Sequence, residues 1–192
     1  MSELQPGYTV KTPTADDFRW ARHLLRDVPV LAMVTQDNHS SAMYATFTET
    51  LGEGLQYVFR SRRSSLHSQH IEQPAAPIDH RGRAAARILL HIGDTATTRP
   101  WLKMHAAAQL VVGRVANTLA LQAMNEVRVG RGADTRDLAL PCTDATPFGM
   151  YVATVLDEST MPGPVYDTHG HHVDEAHMHI PLSELQGFRE RE

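Results

Sequence analysis

Residues 30–61 read VLAMVTQDNHSSAMYATFTETLGEGLQYVFRS. Three apolar runs, 30–35, 42–48 and 55–61, are rich in β-branched, aromatic and other apolar residues, and each is too short for a stable helix. The first two are separated by Asp37-Asn38-His39-Ser40 and the second pair by Gly52-Glu53-Gly54. Both clusters carry residues that bend a chain cheaply, because Asn, Asp and Gly tolerate left-handed backbone. In the third run Leu55, Tyr57 and Phe59 alternate with Gln56, Val58 and Arg60, the period of a strand. Three strands joined by short turns predict an antiparallel meander.

Working outward, Thr14 reads as an N-cap with Asp17 as its capping-box partner. Phe18, Ala21, Leu25 and Val28 then fall at helical spacing, up to Pro29. After the meander, Ser64 is placed to cap a short helix running to about Gln73, with Leu66, His70 and Ile71 on one side, and the Pro-rich stretch 74–77 stops it. Residues up to 83 read as a loop, 84–92 as a strand, and 101–115 as a long strand with Gly113 marking a bend. Asn117 reads as the cap of a third helix burying Ala120, Leu121, Met124 and Val127, closed by Gly130 and Gly132. Residues 131–147 read as an irregular loop, 148–156 and 174–182 as strands, and 161–164 (Met-Pro-Gly-Pro) as a turn.

Strands and helices do not alternate strictly, which argues against a parallel α/β fold. The order suits a mainly β protein: an antiparallel, Greek-key-like split barrel with short helices covering its open ends. The expected organisation is a flexible arm over 1–13, one domain over 14–182, and a polar tail over 183–192.

The 192 residues, 42% hydrophobic and 21% charged, suit one globular core. The single cysteine, Cys142, excludes an internal disulfide and has no histidine beside it to activate it, so it reads as a bystander thiol. The first eleven residues lack the apolar core of a signal peptide, and no apolar run approaches the roughly 20 residues of a membrane span. The expectation is a cytoplasmic protein without a membrane partner. A net charge of −4 and the lack of any basic block larger than residues 60–63 also speak against a nucleic-acid partner.

Twelve histidines are unusual. Five fall between 169 and 179, and in a strand His177 and His179 share a face, so that with His172 or Glu175 they could bind a divalent metal. His-x-His on a strand also occurs in cupin-like metal enzymes. An exposed His-rich loop beside a half-buried strand explains the same residues.

The element order, with Val30-Leu31-Ala32-Met33-Val34-Thr35 as first strand, Tyr57-Val58-Phe59-Arg60-Ser61 in the third, and Ser64-Ser65-Leu66-His67-Ser68-Gln69-His70-Ile71 opening the following helix, resembles the flavin-binding split-barrel superfamily of pyridoxamine-phosphate oxidase. The segment 65–71 is also similar to the haem-degrading branch, where a histidine sits in this helix. The sequence departs from the oxidase pattern where an Arg-Lys pair follows the helix serine: those places hold Leu66 and His67.

The resemblance implies FMN bound at a homodimer interface, and a small-molecule substrate. The flavin phosphate would then fall to Arg60, Ser61, Arg62, Arg63, Ser64, Ser65 and His67. Serine hydroxyls, guanidinium forks and free amides at a helix start are suitable donors to a phosphate. A solvated basic turn with Ser64 as an ordinary N-cap accounts for the same stretch. The ring would lie against the second and third strands near Tyr44, Thr46 and Thr48, and Trp101 could supply dimer surface, although both aromatics also suit plain core packing. No general acid or base stands out beyond His67 and His70, which titrate near neutrality. The implied activity is a flavin-dependent oxidoreductase. Haem binding or degradation, a metal-dependent cupin-like enzyme and a non-catalytic cofactor-binding protein are the alternatives.

Overall fold

Thr14 opens the first helix as its composition requires. Its side chain accepts from the Asp17 amide while Asp17 accepts in turn from the Thr14 amide at 2.8 Å, completing the reciprocal box. The computed structural model describes residues 9–52, 54–132, 146–166, 169 and 171–189. In chain order these form β1 (Thr9–Val10), α1 (Ala15–Asp27), β2 (Val30–Val34), β3 (Ser40–Tyr44), β4 (Phe47–Thr48), β5 (Gln56–Arg62), α2 (Leu66–Glu72) and β6 (Pro77–His80). They continue as β7 (Arg83–Ile92), β8 (Leu102–Leu110), α3 (Arg114–Gly130), β9 (Phe148–Val155), β10 (Ser159–Tyr166), β11 (His172–Ile180) and α4 (Leu182–Leu185). Cys142 and most of the expected 131–147 loop lie outside the described residues.

All the ladders are antiparallel, and the main path runs β3-β2-β7-β8-β9-β5-β4. Closure depends on residues 40–48. Their first half pairs with β2, from Val30↔Tyr44 to Val34↔Ser40. Their second half crosses to β5, through Phe47↔Tyr57 and Thr48↔Gln56. The amide of Val58 donates to Thr46 O, and there the β4–β5 ladder stops. β3 and the far end of β5 therefore diverge, leaving a barrel that is split along one seam.

Alternate side chains of these strands fill the interior: Leu31 and Met33, Phe47, Tyr57 and Phe59, Leu90 and Ile92, Met104, Tyr151 and Ala153. Trp20, Leu24 and Leu25 of α1 and Ile71 of α2 pack into the same core. Val58 and Met150, on the outer face, pack under Ala120, Leu121 and Met124 of α3. β5 is thus buried on both faces, which is why its apolar residues run together instead of alternating cleanly with polar ones. Phe47, Tyr57, Phe59 and Tyr151 form a column of rings 5.0–5.5 Å apart inside the barrel.

Several boundaries differ from the sequence reading. The long strand expected over 101–115 stops at Leu110, and the third helix starts at Arg114 behind Gly113, whose φ of 93° any side chain would resist. Asn117 is not its cap. The Asn117 side-chain Nδ2 donates to Val111 O and Gly113 O, both at 2.9 Å, tying the strand end to the helix. Within the loop expected over 74–83, residues 77–80 pair with β7 through a two-residue turn at Arg81 and Gly82, both with positive φ.

Residues 161–164 are not a turn but lie within β10. Pro162 and Pro164 are two apart, so their missing N–H groups fall on one edge of the strand. Gly163 leaves room for Met178, which a Cβ there would strike. Both ends are also less free than expected. Thr9 and Val10 pair with Tyr166 and Val165, while Leu185 and Phe188 are buried in the core. Among the described residues no helix is long and apolar enough to cross a membrane.

Candidate functional site

Ser61 follows Tyr57 and Phe59 on the inward face of β5, at the end of the ring column, while Arg60 and Arg62 point the opposite way. The chain then turns through 63–65 and enters α2, carrying His67 back over the barrel mouth. Ser61 Oγ lies 2.6 Å from His67 Nε2, and Ser65 Oγ lies 3.1 Å from both atoms. From across the split, Ser41 of β3 places its Oγ 3.2 Å from His67 Nδ1 and 3.2 Å from His39 Nε2. His70, one turn along α2, is buried and bonded to Thr35 Oγ1 at 2.8 Å. The His39 ring lies 6.4 Å from His67 and 5.9 Å from His70.

The seam between β3 and β5 is therefore spanned by hydroxyls and imidazoles instead of a backbone ladder. Burial, together with the neighbouring His39 and His70, pushes His67 below the usual histidine value, so it is neutral at pH 7. Among the described residues, the hydrogen-bond partners of Ser41, Ser61, Ser65 and His67 include no carboxylate. The nearest acidic group on α2, Glu72, is committed elsewhere. It accepts from Arg63 at 3.1 and 2.5 Å and from the Tyr151 hydroxyl at 2.6 Å. Arg63 holds Glu72 below the usual carboxylate range, whereas burial and the Glu72 bond push the Tyr151 phenol up.

Of the residues singled out by sequence, Ser61, Ser65 and His67 come together and the rest do not. Arg63 is held by Glu72. The Arg60 and Arg62 guanidiniums stack over Phe148, at 4.5 and 5.6 Å from its ring centre. Ser64 is exposed and is not the helix cap; Ser65 takes that position. The Ser65 hydroxyl does not cap the helix either, since it lies 2.7 Å from Arg62 O and 2.9 Å from Ser68 Oγ. With only two turns of helix behind it, the helix end adds little charge, so the chemistry the junction offers is that of its hydroxyls and imidazole.

Thr46 donates to Val58 O, closing β4 onto β5, and Thr48 is fully buried and bonded to Thr50 at 2.8 Å. Thr46 still lines a cavity of about 300 Å³ at the seam, walled by Tyr44, Phe59, Arg60 and Phe148, with Arg128 over the Tyr44 ring at 4.6 Å. That volume stands at the low end for small-molecule pockets.

His39 and Ser41 were not foreseen in this site. His39 and Ser41 are two residues apart at a strand start and so share a direction, a signal legible only once the strand's inward face is known. His177 and His179 do share the exposed face of β11, with His179 Nε2 3.7 Å from Asp157. The side chain of His172 lies outside the described residues. Among the described residues no three His, Cys, Asp or Glu side chains converge to hold a metal.

No protein-family model matches this sequence, and no curated protein matches it. Solved structures do match in fold. A protein of unknown function from Agrobacterium tumefaciens str. C58 aligns with TM-score 0.52 and 17% identity over 95% of this chain and 64% of its own. A candidate pyridoxamine 5'-phosphate oxidase from Listeria innocua aligns with TM-score 0.48 and 12% identity over 75% of this chain and 96% of its own. A pyridoxamine 5'-phosphate oxidase-related, FMN binding protein from Nostoc punctiforme PCC 73102 aligns with TM-score 0.46 and 13% identity over 88% and 97%. With a sheet that closes only through β4 and opens between β3 and β5, this chain has the split-barrel fold.

Proposed function

We propose that this chain is a flavin-dependent oxidoreductase acting on a small molecule, with FMN held at the seam between β3 and β5. The observation that carries the reading is the convergence of the Ser61 and Ser65 hydroxyls on His67, whose ring lies 6.5 Å from Phe59, a wall of an apolar, aromatic-lined cavity. The donor set fits a phosphate: serine hydroxyls reorient freely, and an imidazole can donate from either nitrogen. The cavity walls fit a flat, mostly apolar ring, with Phe59 and Phe148 as stacking surfaces and Arg60 and Arg128 as donors at its edge.

The bound flavin would carry the electrons. Ser61, Ser65 and His67 would anchor its phosphate, and Phe59 would separate the anchor from the barrel interior. The cavity is small for a whole flavin nucleotide, which supports completion by a second copy of the chain. Val30 and Tyr44, cross-strand partners on the outer face of β2 and β3, are 48% and 61% exposed, as a face awaiting a partner would be. The haem reading gains no comparable support, because each ring nitrogen of His67 already has a serine hydroxyl within 3.2 Å.

The test is the absorption spectrum of the purified protein before and after addition of FMN, with light scattering to read the mass. Bands near those of free flavin that shift on binding, in a particle of twice the chain mass, are expected. A colourless protein that leaves FMN fluorescence unquenched would end the proposal.

A further inference from the structure

Resting on that reading, we infer that His67 selects a phosphate-bearing flavin over its dephosphorylated form by taking up a proton when the phosphate binds. The argument starts from what the cluster lacks. A doubly charged phosphate ordinarily meets fixed cations, yet here, among the described residues, the groups within bonding distance of His67 are neutral hydroxyls, those of Ser41, Ser61 and Ser65.

The charged and titratable groups around it are accounted for element by element. Ahead of β3 stands His39, and on α2 stand His70, bonded to Thr35, and Glu72. On β9 stands Tyr151, bonded to Glu72. At the end of β5 stand Arg62, over Phe148, and just beyond it Arg63, bonded to Glu72. Of these, His39 touches the cluster, its Nε2 3.2 Å from Ser41 Oγ, while the Arg63 and Arg62 guanidiniums are engaged by Glu72 and Phe148.

His67 is also built to change state without moving. Both its nitrogens face hydroxyl oxygens, at 3.2 Å for Ser41 and 2.6 Å for Ser61. A hydroxyl donates to a bare ring nitrogen and accepts from a protonated one, so imidazole and imidazolium use the same heavy-atom positions. Without an anion the neutral form is favoured by burial and by the two neighbouring imidazoles. A phosphate beside the ring reverses that balance, because an opposite charge at this range favours the charged form. The proton comes from the buffer and rests on the ring nitrogen that lacked one. Riboflavin, with no phosphate, brings no charge and induces no uptake.

The measurement is calorimetric titration of the full-length protein with FMN and with riboflavin at pH 7, in two buffers of different ionisation enthalpy. Affinities are also measured from pH 6.5 to 7.5, above the second phosphate pKa of about 6. The expected result is uptake of a large fraction of one proton with FMN, none with riboflavin, and an FMN Kd that rises nearly tenfold across that pH unit. His67→Asn should abolish the uptake and cut the preference for FMN over riboflavin about tenfold or more. His67→Lys, with a fixed charge, should restore the preference without uptake or pH dependence. FMN binding with buffer-independent heat and a flat pH profile would overturn the role of His67 while leaving the flavin reading intact. Failure of both flavins to bind would overturn the two together.

Discussion

Ser61 Oγ and His67 Nε2 stand 2.6 Å apart although one belongs to a strand and the other to a helix, and the turn between them exists to bring them face to face. The inward face of β5 ends in Ser61, and the first turn of α2 brings His67 over it. A hydroxyl that donates to or accepts from an imidazole at this distance fixes the ring and leaves its other nitrogen aimed at Ser41 across the seam.

Ser61→Ala should therefore weaken FMN binding on the order of tenfold, the loss of one hydrogen bond to a charged group plus a less well fixed imidazole. Riboflavin binding should change little. Fluorescence quenching titrations of both ligands check this, and equal losses for the two would show that Ser61 supports the fold and not the phosphate.

Glu72 links α2 to β9 and to the turn after β5 through Tyr151 and Arg63. Its carboxyl is held below the ordinary 4.5, so its contribution to stability is complete above that value and is lost as pH falls through the lowered folded-state pKa. Glu72→Gln should cost about 1–2 kcal/mol at pH 7, at the modest end because the Arg63 side chain is 42% exposed. Its acid unfolding below pH 4.5 should also be shallower than that of the parent, as read by urea denaturation at pH 7 and pH 4.

Phe188 is 2% exposed, in a segment whose composition reads as solvent-borne tail. Phe188→Ala should cost about 3–5 kcal/mol as a core truncation. For a chain of this size that corresponds to a Tm lower by roughly 6–20 °C. A change within 1 °C would show that the segment is not docked in solution.

Arg131 reaches back from the end of α3 to the carbonyls of Leu25 and Arg26 at the end of α1, at 2.7–2.9 Å, and to Ala45 O where β3 passes into β4. It satisfies helix-end acceptors that α1 cannot satisfy itself and pins the bend that closes the barrel. Arg131→Ala should cost on the order of 2–4 kcal/mol, and Arg131→Lys should recover little, because one ammonium cannot match the fork. Chemical denaturation of the three proteins separates these outcomes.

The legible part of the site was the part written in local chemistry. Ser61, Ser65 and His67 lie within seven residues, and the strand-to-helix junction that joins them follows from an apolar run ending in serines and a helix-favouring segment after it. Arg60, Arg62 and Arg63 looked equally suitable because composition carries no direction. Period two turned Arg60 and Arg62 to the outer face, where an aromatic ring from β9 was waiting, and Glu72 took Arg63.

Sequence by itself determined the strands of the meander, the three main helices within a few residues, and the antiparallel barrel class, because each depends on periodicity and caps acting over ten residues or so. It also supplied the junction at 61–67. Only the tertiary structure decided that Ser41 and His39 join that junction, that Leu185 and Phe188 belong to the core, and that Asn117 ties a strand instead of capping a helix. These outcomes depend on which faces meet across the seam between β3 and β5 and on what the last residues bury. Such pairings are fixed by long-range closure, and no local stretch of sequence encodes them.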